Sequence, residues 1–377
     1  MSLGVIEGEL DRLRERHARV TDGALADYIP ELAKANPTWF GVSLCTVDGT
    51  VHESGDSQEP FTIQSVSKPF VFALALAARG HDAVLERVGV EPSGDAFNSI
   101  QLDRWDRPHN PMVNAGAIAT VGMIPGTTES RTDRIVTMLS AFAGRSLTVD
   151  EAVYRSERET GDRNRAIGHL LKNVGALEGD VDDTLDVYFR QCSVLVTATD
   201  LAVMAGTLAN GGVNPLTGTT VVPSEVVGDV LSVMYTSGMY DFSGEWAYKT
   251  GLPAKSGVAG GVTALVPGQV GVGVFSPPVD ERGNSVRGVA VCEELSGRFG
   301  FHLFRGGASA KLPLRSTTTG LHRRSMRIRP SSELDALGQY GDRIAVVEAQ
   351  GPWSFVACER LFAHVESVDP DYLALDT

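Results

Sequence analysis

Residues 69–78, Pro-Phe-Val-Phe-Ala-Leu-Ala-Leu-Ala-Ala, are almost wholly apolar, and Gly80 follows as a stop. A helix hydrophobic on every side has no face for solvent, so the rest of the chain must be built around it. Proline at its opening and glycine at its end match the asymmetry of helix starts and stops. Ser65 and Lys68 stand at that opening, after a short extended run, Phe61-Thr62-Ile63. Residues three apart on a helix share a face. The positive end of the helix dipole and burial both disfavour an ammonium at this place. A neutral Lys68 is a base able to take the Ser65 proton, which makes that hydroxyl a nucleophile. The helix start also aims backbone N–H groups at a developing oxyanion.

A second short motif, Lys255-Ser256-Gly257, lies far along the chain. Lys249-Thr250-Gly251 has the same form, but it runs into Leu252-Pro253, where proline interrupts a ladder. The later copy leads into residues 258–266, small and β-branched, which read as a strand whose glycines mark close backbone approach. If that strand borders the site, the N–H of Val258 pairs with that of Ser65 as an oxyanion hole. Lys255 then adds positive potential and lowers the Lys68 pKa further. Together the two motifs are similar to the serine–lysine signature of β-lactamases and penicillin-binding proteins, and point to amide-cleaving acyl transfer.

The chain has 377 residues, 42% hydrophobic and 21% charged, with a net charge of −14. That length suits one large domain and a smaller piece. The acidic balance argues against nucleic acid and anionic membranes as partners. The one basic run, His322 to Arg329, is short and reads as a solvated linker. Cys45, Cys192, Cys292 and Cys358 form no C-x-x-C pair and read as buried free thiols in a reducing compartment. No zinc spacing, Walker loop or dinucleotide fingerprint is present, so no metal or cofactor is expected. The first nineteen residues are charged and amphipathic, unlike a signal peptide, and the longest apolar run is too short for a bilayer. These readings make the protein cytoplasmic.

Along the chain, residues 5–20 and 21–35 suggest two amphipathic helices. Residues 40–47, the turn Asp48-Gly49 and residues 51–54 read as a hairpin. From about 81 to 236 the pattern is mostly helical, broken by loops at 91–94, 107–111 and 210–215. Strands return at 258–266 and 271–275, and Asn284-Ser285 caps a closing helix through Phe299. Strands, a long helical insert, then strands and a helix imply an α+β fold in two regions with a cleft between them.

Placed against known families, residues 26–305 resemble the serine-dependent glutaminases nearly end to end. The resemblance is carried by Ala26-Asp27-Tyr28-Ile29-Pro30, Gln64-Ser65-Val66-Ser67-Lys68-Pro69 and the segment from Pro108 through Asn114 to Ala117. It continues in the segment from Ser156 through Glu157 to Asn164, in Gly238-Met239-Tyr240-Asp241-Phe242-Ser243-Gly244, and from Gly251 through Lys255-Ser256-Gly257-Val258 to Gly261. The resemblance implies a β-lactamase/transpeptidase-like fold: a sheet flanked by helices, an all-helical region, and the active site in the cleft. It implies hydrolysis of L-glutamine to L-glutamate and ammonia. It makes Ser65 the nucleophile, Lys68 its base and Tyr240 the proton relay. Substrate contacts then fall on Tyr28, Ser65, Asn114, Glu157, Asn164, Tyr188, Tyr240 and Val258, supported by Lys255 and Gly257. The resemblance also implies a homodimer or homotetramer. The β-lactamase S-D-N element has no obvious equivalent, which counts against a β-lactam substrate.

The chemistry of glutamine is consistent with those residues. Its amine needs an acid, which Glu157 supplies. Its carboxylate needs neutral donors, which Asn114, Asn164 and the tyrosines supply without neutralising Glu157. Taken singly, each residue has an ordinary reading: Glu157 in a solvated charged run, Tyr28 and Tyr188 at a core edge, Asn114 as a helix cap. Two rivals to the glutaminase reading are a different serine–lysine hydrolase and a non-catalytic glutamine-binding module.

Residues 307–341 read as a linker with at most one short strand. Residues 342–377 read as strand, helix and strand, a β-α-β unit too small to bury a full core. Its pattern resembles the first half of a STAS domain. Such a piece packs on the catalytic domain, on another chain or on a regulator, or belongs to a truncated sequence. The expected division is therefore 1–306 catalytic, 307–341 linker and 342–377 partial STAS-like segment.

Overall fold

The computed structural model describes residues 4–94, 98–305, 314–323, 327–350 and 353–376. The chain divides into two compact units, Met1–His302 and Leu303–Thr377. The expected boundary between 306 and 307 lies outside the described residues, as do residues 324–326 of the basic run.

The first unit is built on a five-stranded sheet. Its strands are β1 (Gly41–Thr46), β2 (Val51–Gly55), β5 (Ala254–Ser256), β6 (Gly261–Val266) and β7 (Val270–Phe275), in the order β2-β1-β7-β6-β5 and antiparallel throughout. A separate two-stranded ladder joins β3 (Phe61–Thr62) to β4 (Leu195–Val196). Both ends of the unit complete the main sheet, as the order of strands along the sequence implied.

The helices in chain order are α1 (Val5–His17), α2 (Lys68–Arg79), α3 (His81–Leu85), α4 (Asn114–Gly122), α5 (Thr128–Ala143), α6 (Glu151–Thr160), α7 (Asp162–Asn173), α8 (Val181–Cys192), α9 (Ala198–Ala209), α10 (Ser224–Ser237), α11 (Ser243–Lys249) and α12 (Val286–Phe299). The alternation Val-Gly-Val-Gly-Val in β7 explains how α9 reaches the sheet. A Cβ on Gly271 would lie 2.2 Å from the Gly206 nitrogen, and one on Gly273 would lie 2.0 Å from the Ala198 oxygen. Only hydrogen fits on that face, so helix and sheet meet backbone to backbone. Helix α2, whose side chains from Lys68 to Ala73 are all buried, packs on α3, α4, α5 and α10. The apolar run is thus a central helix, as its composition required.

Two sequence expectations fail in this unit. Residues 21–35 are not a second amphipathic helix; only a single 3-10 turn forms, at Leu32–Lys34. Gly23 is left-handed at φ +91°, and Ala24 pairs with Val279 in a β-bridge, so the chain is held extended. The stretch after Lys255 is not one strand from 258 either. It turns at 257–260, where Gly260 has φ +95° and the Gly257 N–H donates to the Gly261 oxygen at 2.9 Å. That turn separates β5 from β6. The closing helix does begin at the expected cap, with the Ser285 side chain accepting from the Gly288 N–H.

In the second unit, β8 (Leu314–Thr319), β9 (Ile344–Ala349) and β10 (Tyr372–Asp376) form a sheet in the order β10-β9-β8. β9 and β10 run parallel, joined through α14 (Phe355–Val368), and β8 is antiparallel to β9. The segment read as linker therefore supplies a strand and also a helix, α13 (Ser331–Tyr340). No residue of α13 is buried, so it has no apolar stripe for periodicity to reveal.

All four cysteines are free; Cys45, Cys192 and Cys292 are buried, and Cys358 is only partly so. Among the described residues, no helix is long and apolar enough to cross a membrane.

Candidate active site

Ser65 lies in a 3-10 turn, Gln64–Ser67, that leads directly into α2. The residue before it, Gln64, is left-handed at φ +49°. A side-chain-bearing residue in that region costs roughly 1–3 kcal/mol and persists only where its surroundings hold it. Here the Ile63 N–H donates to the Val194 oxygen at 2.8 Å and anchors the turn from behind. Tyr240 is also left-handed, at φ +59°, and its side chain is hydrogen-bonded to Ser65. Strained backbone thus lies next to the serine and at its tyrosine partner.

Gly257 explains how a distant strand comes this close. A Cβ there would lie 3.1 Å from the Ile63 oxygen and 3.1 Å from Val66 Cγ2. The end of β5 therefore abuts the Ser65 turn, and Val258, the next residue, lines the same pocket as Ser65.

Lys68 is 1% exposed. Its amine donates to Asn114 Oδ1 at 2.7 Å. Burial lowers its pKa to about 8, partly offset by Cys192 and Glu157 nearby. Asn114, the first residue of α4, also accepts from the Tyr188 hydroxyl at 3.3 Å and donates to Asn164 Oδ1 at 3.0 Å. One asparagine thereby ties together α2, α4, α7 and α8. The small residues after it are needed for packing, since a Cβ on Gly116 would lie 2.0 Å from the Asn110 oxygen.

Lys255 lies close behind the site. It is fully buried on β5, donates to the Ser256 oxygen at 2.7 Å and sits 4.0 Å from the centre of the Tyr240 ring. Burial, reinforced by Lys68, pushes its pKa well below that of an ordinary lysine. That burial and its repulsion with Lys68 both weigh against the charged form of the amine that packs on Tyr240. The Tyr240 hydroxyl donates to the same Ser256 oxygen at 2.9 Å.

Glu157 is 6% exposed, whereas its neighbours Arg158 and Glu159 face solvent. It follows the buried positions Val153, Tyr154 and Ser156 on α6, so helical geometry turns it inward. Burial raises its pKa to about 7, against a hydrogen bond from Gln64 and the nearby Lys68. Its Oε1 is buried and has no hydrogen-bond partner among the described residues.

These groups enclose a pocket of about 260 Å³. Ser65, Asn114, Glu157, Asn164, Tyr188 and Val258 line it, and Tyr28 stands at its mouth, 52% exposed. Lys68 and Tyr240 lie behind this lining, each bonded to a residue within it. A larger cleft of about 920 Å³, lined by residues of α5 to α8, contains none of the expected site residues. Sequence reasoning did not assign Gln64, Asn98, Arg163 or Cys192, all of which line the pocket. Cys192 lies one helical turn after Tyr188 on α8, and that spacing was the signal available.

A model of the family described as Glutaminase matches residues 23–304. Glutaminase 2 of Bradyrhizobium diazoefficiens is 52% identical over 352 residues, which are 93% of this chain and 56% of that protein. The chain thus spans little more than half the length of this relative. The glutaminase of Trichormus variabilis is 56% identical over 297 residues, 78% of this chain and 89% of that one. Among solved structures, Mglu in its glutamate form superposes with a TM-score of 0.79 at 41% identity, covering 96% of this chain and 80% of that one. The probable glutaminase ybaS gives 0.78 at 41% identity, covering 80% and 98%. The resemblance read from the sequence motifs, including its serine β-lactamase-like fold, agrees with these matches, and the chain belongs to the glutaminase family.

Proposed function

We propose that this protein hydrolyses L-glutamine to L-glutamate and ammonia through an acyl-enzyme on Ser65. The observation that carries the reading is one small pocket lined by Ser65 and by Glu157, whose buried Oε1 has no partner among the described residues, with the buried Lys68 amine bonded to Asn114 of the same lining. A free amino acid suits that volume, and its ammonium is the natural partner for Glu157 Oε1.

Lys68 in its neutral form spends one N–H on Asn114 and keeps a lone pair to accept the Ser65 proton. Ser65 attacks the γ-carbonyl. The Ser65 and Val258 N–H groups then hold the oxyanion, each worth about 3 kcal/mol when well placed. Tyr240, bonded to Ser65, relays the proton held by Lys68 to the departing ammonia, which returns the amine to its neutral form. Water activated by the same amine and phenol cleaves the γ-glutamyl ester. Glu157 fixes the substrate amine, and neutral donors around Asn114 and Asn164 face its carboxylate. Residues 1–306 carry this chemistry, without a cofactor, in a cytoplasmic homodimer or homotetramer.

The test is ammonia release from L-glutamine by the purified chain and by its Ser65→Ala variant, beside asparagine, nitrocefin and p-nitrophenyl acetate. The reading requires glutamine to be the preferred substrate and the variant to be inert. Preference for nitrocefin or the acetate ester would assign a different serine–lysine hydrolase.

A further inference from the structure

Among the pocket-lining residues that the chemistry above does not use, Arg163 is the charged one. The geometry points to Arg163 as the residue that recognises the substrate's α-carboxylate and so restricts the site to free α-amino acids. This inference deepens the glutamine reading and rests on it.

The neutral donors first assigned to that carboxylate are largely committed elsewhere. Asn114 Oδ1 accepts from both Lys68 and Tyr188, and its Nδ2 donates to Asn164. The Tyr188 hydroxyl proton is spent on the same Asn114 oxygen. What remains is the second N–H of Asn114, the Asn164 amide N–H pair and the Tyr28 hydroxyl. None of these carries charge, whereas the ligand's carboxylate does.

Arg163 is the one cationic side chain among the residues lining the pocket, and Glu157 is the one anionic side chain. A zwitterionic α-amino acid needs one of each. The guanidinium has five N–H donors, and its Nε uses one on the Asn98 oxygen at 2.6 Å. Asn98 lines the same pocket, so this bond holds the arginine across the rim. The terminal nitrogens have no partner among the described residues, and they carry the fork that matches a carboxylate.

Its position in α7 supports a ligand role over a structural one. Arg163 is the second residue of that helix, where the dipole disfavours a cation, and it follows directly on Asp162. Helix stability alone selects against a basic residue there. The next residue, Asn164, is the one whose amide faces Asn114, so the same helix start presents both groups to the pocket.

The test measures binding by calorimetry in the full chain carrying Ser65→Ala, so that turnover plays no part. Two ligands are compared: L-glutamine, and L-glutaminamide, in which a neutral amide replaces the α-carboxylate. Adding Arg163→Gln is expected to weaken L-glutamine binding about five-fold, the scale of an exposed ionic contact, and to leave L-glutaminamide unchanged. Raising NaCl should weaken L-glutamine binding in the parent and not in the double variant. Arg163→Lys should restore part of the loss. Equal weakening of both ligands would reduce Arg163 to a prop for Asn98, and no weakening of either would also overturn the inference. If the Ser65→Ala chain binds neither ligand, the glutamine reading itself fails, and this inference with it.

Discussion

The amine of Lys68 and the side-chain oxygen of Asn114 meet at 2.7 Å inside the core, forty-six positions apart in the chain. This contact lets a lysine at the start of an apolar helix be buried without becoming an orphan. Removing the acceptor with Asn114→Leu takes away the group that stabilises the charged amine, so the Lys68 pKa should fall below about 8. The acid limb of the kcat profile should move to lower pH, while kcat itself drops roughly 100-fold from lost orientation. Steady-state kinetics across pH 6 to 10 checks both; an unmoved limb would separate Asn114 from the base.

Activity should climb with pH through two ionisations. In the proposed mechanism Lys68 acts as a base only when deprotonated, above about 8, and Glu157 holds an ammonium only when ionised, above about 7. Both requirements run the same way, so kcat/KM should fall below pH 7 with a slope approaching two protons. A profile flat from pH 6 to 9 would contradict this assignment.

Glu157→Gln should raise KM about 100-fold or more by removing the charge opposite the substrate amine. It should also stabilise the fold, in a pH-dependent way. The folded-state pKa of about 7 exceeds the ordinary carboxyl value of 4.5, so the protonated form is favoured by folding. That contribution is complete below the unfolded pKa and is lost as pH rises through 7. The difference is roughly 3 kcal/mol at most. Melting curves of the two proteins should converge near pH 4.5, with the variant the more stable at pH 8.

Lys255→Met tests whether that amine carries charge. If Lys255 is neutral, as its burial favours, the variant loses a hydrogen bond to Ser256 and part of the packing on Tyr240. The expected result is a kcat reduced about ten-fold with the acid limb unmoved. A limb shifted to higher pH would mean that a positive charge at Lys255 had been holding the Lys68 pKa down.

Two glycines should behave differently on substitution. Gly271→Ala forces a Cβ to 2.2 Å from the Gly206 nitrogen, backbone against backbone, and should cost about 3 kcal/mol or more of stability. Gly257→Ala meets the Ile63 oxygen and Val66 Cγ2 at 3.1 Å, which a small shift of β5 relieves. That shift moves Val258 away from Ser65, so kcat should fall ten-fold or more with little change in Tm. Paired denaturation and kinetic measurements distinguish the two outcomes.

Much of this was legible in the linear chain. An apolar decamer following Lys68 reads as a buried helix, because it offers no polar face, and only its last residues, Ala77 and Ala78, are exposed. The Val-Gly alternation of β7 and the Asp48-Gly49 turn specify strand and hairpin through local geometry. The order of strands and helices was enough to require that the two ends of the first unit share one sheet. Local pattern failed where long-range contacts decide: residues 21–35 are drawn out by the Ala24–Val279 bridge, and α13 has no buried stripe to announce it. The tertiary structure alone decided the electrostatics of the site. Burial depth determines whether Glu157 is a solvated charge or a raised carboxyl, and whether Lys255 is a cation or a neutral donor. Burial depends on what folds over a residue from distant parts of the chain, and so does the rim that brings Arg163 to Asn98.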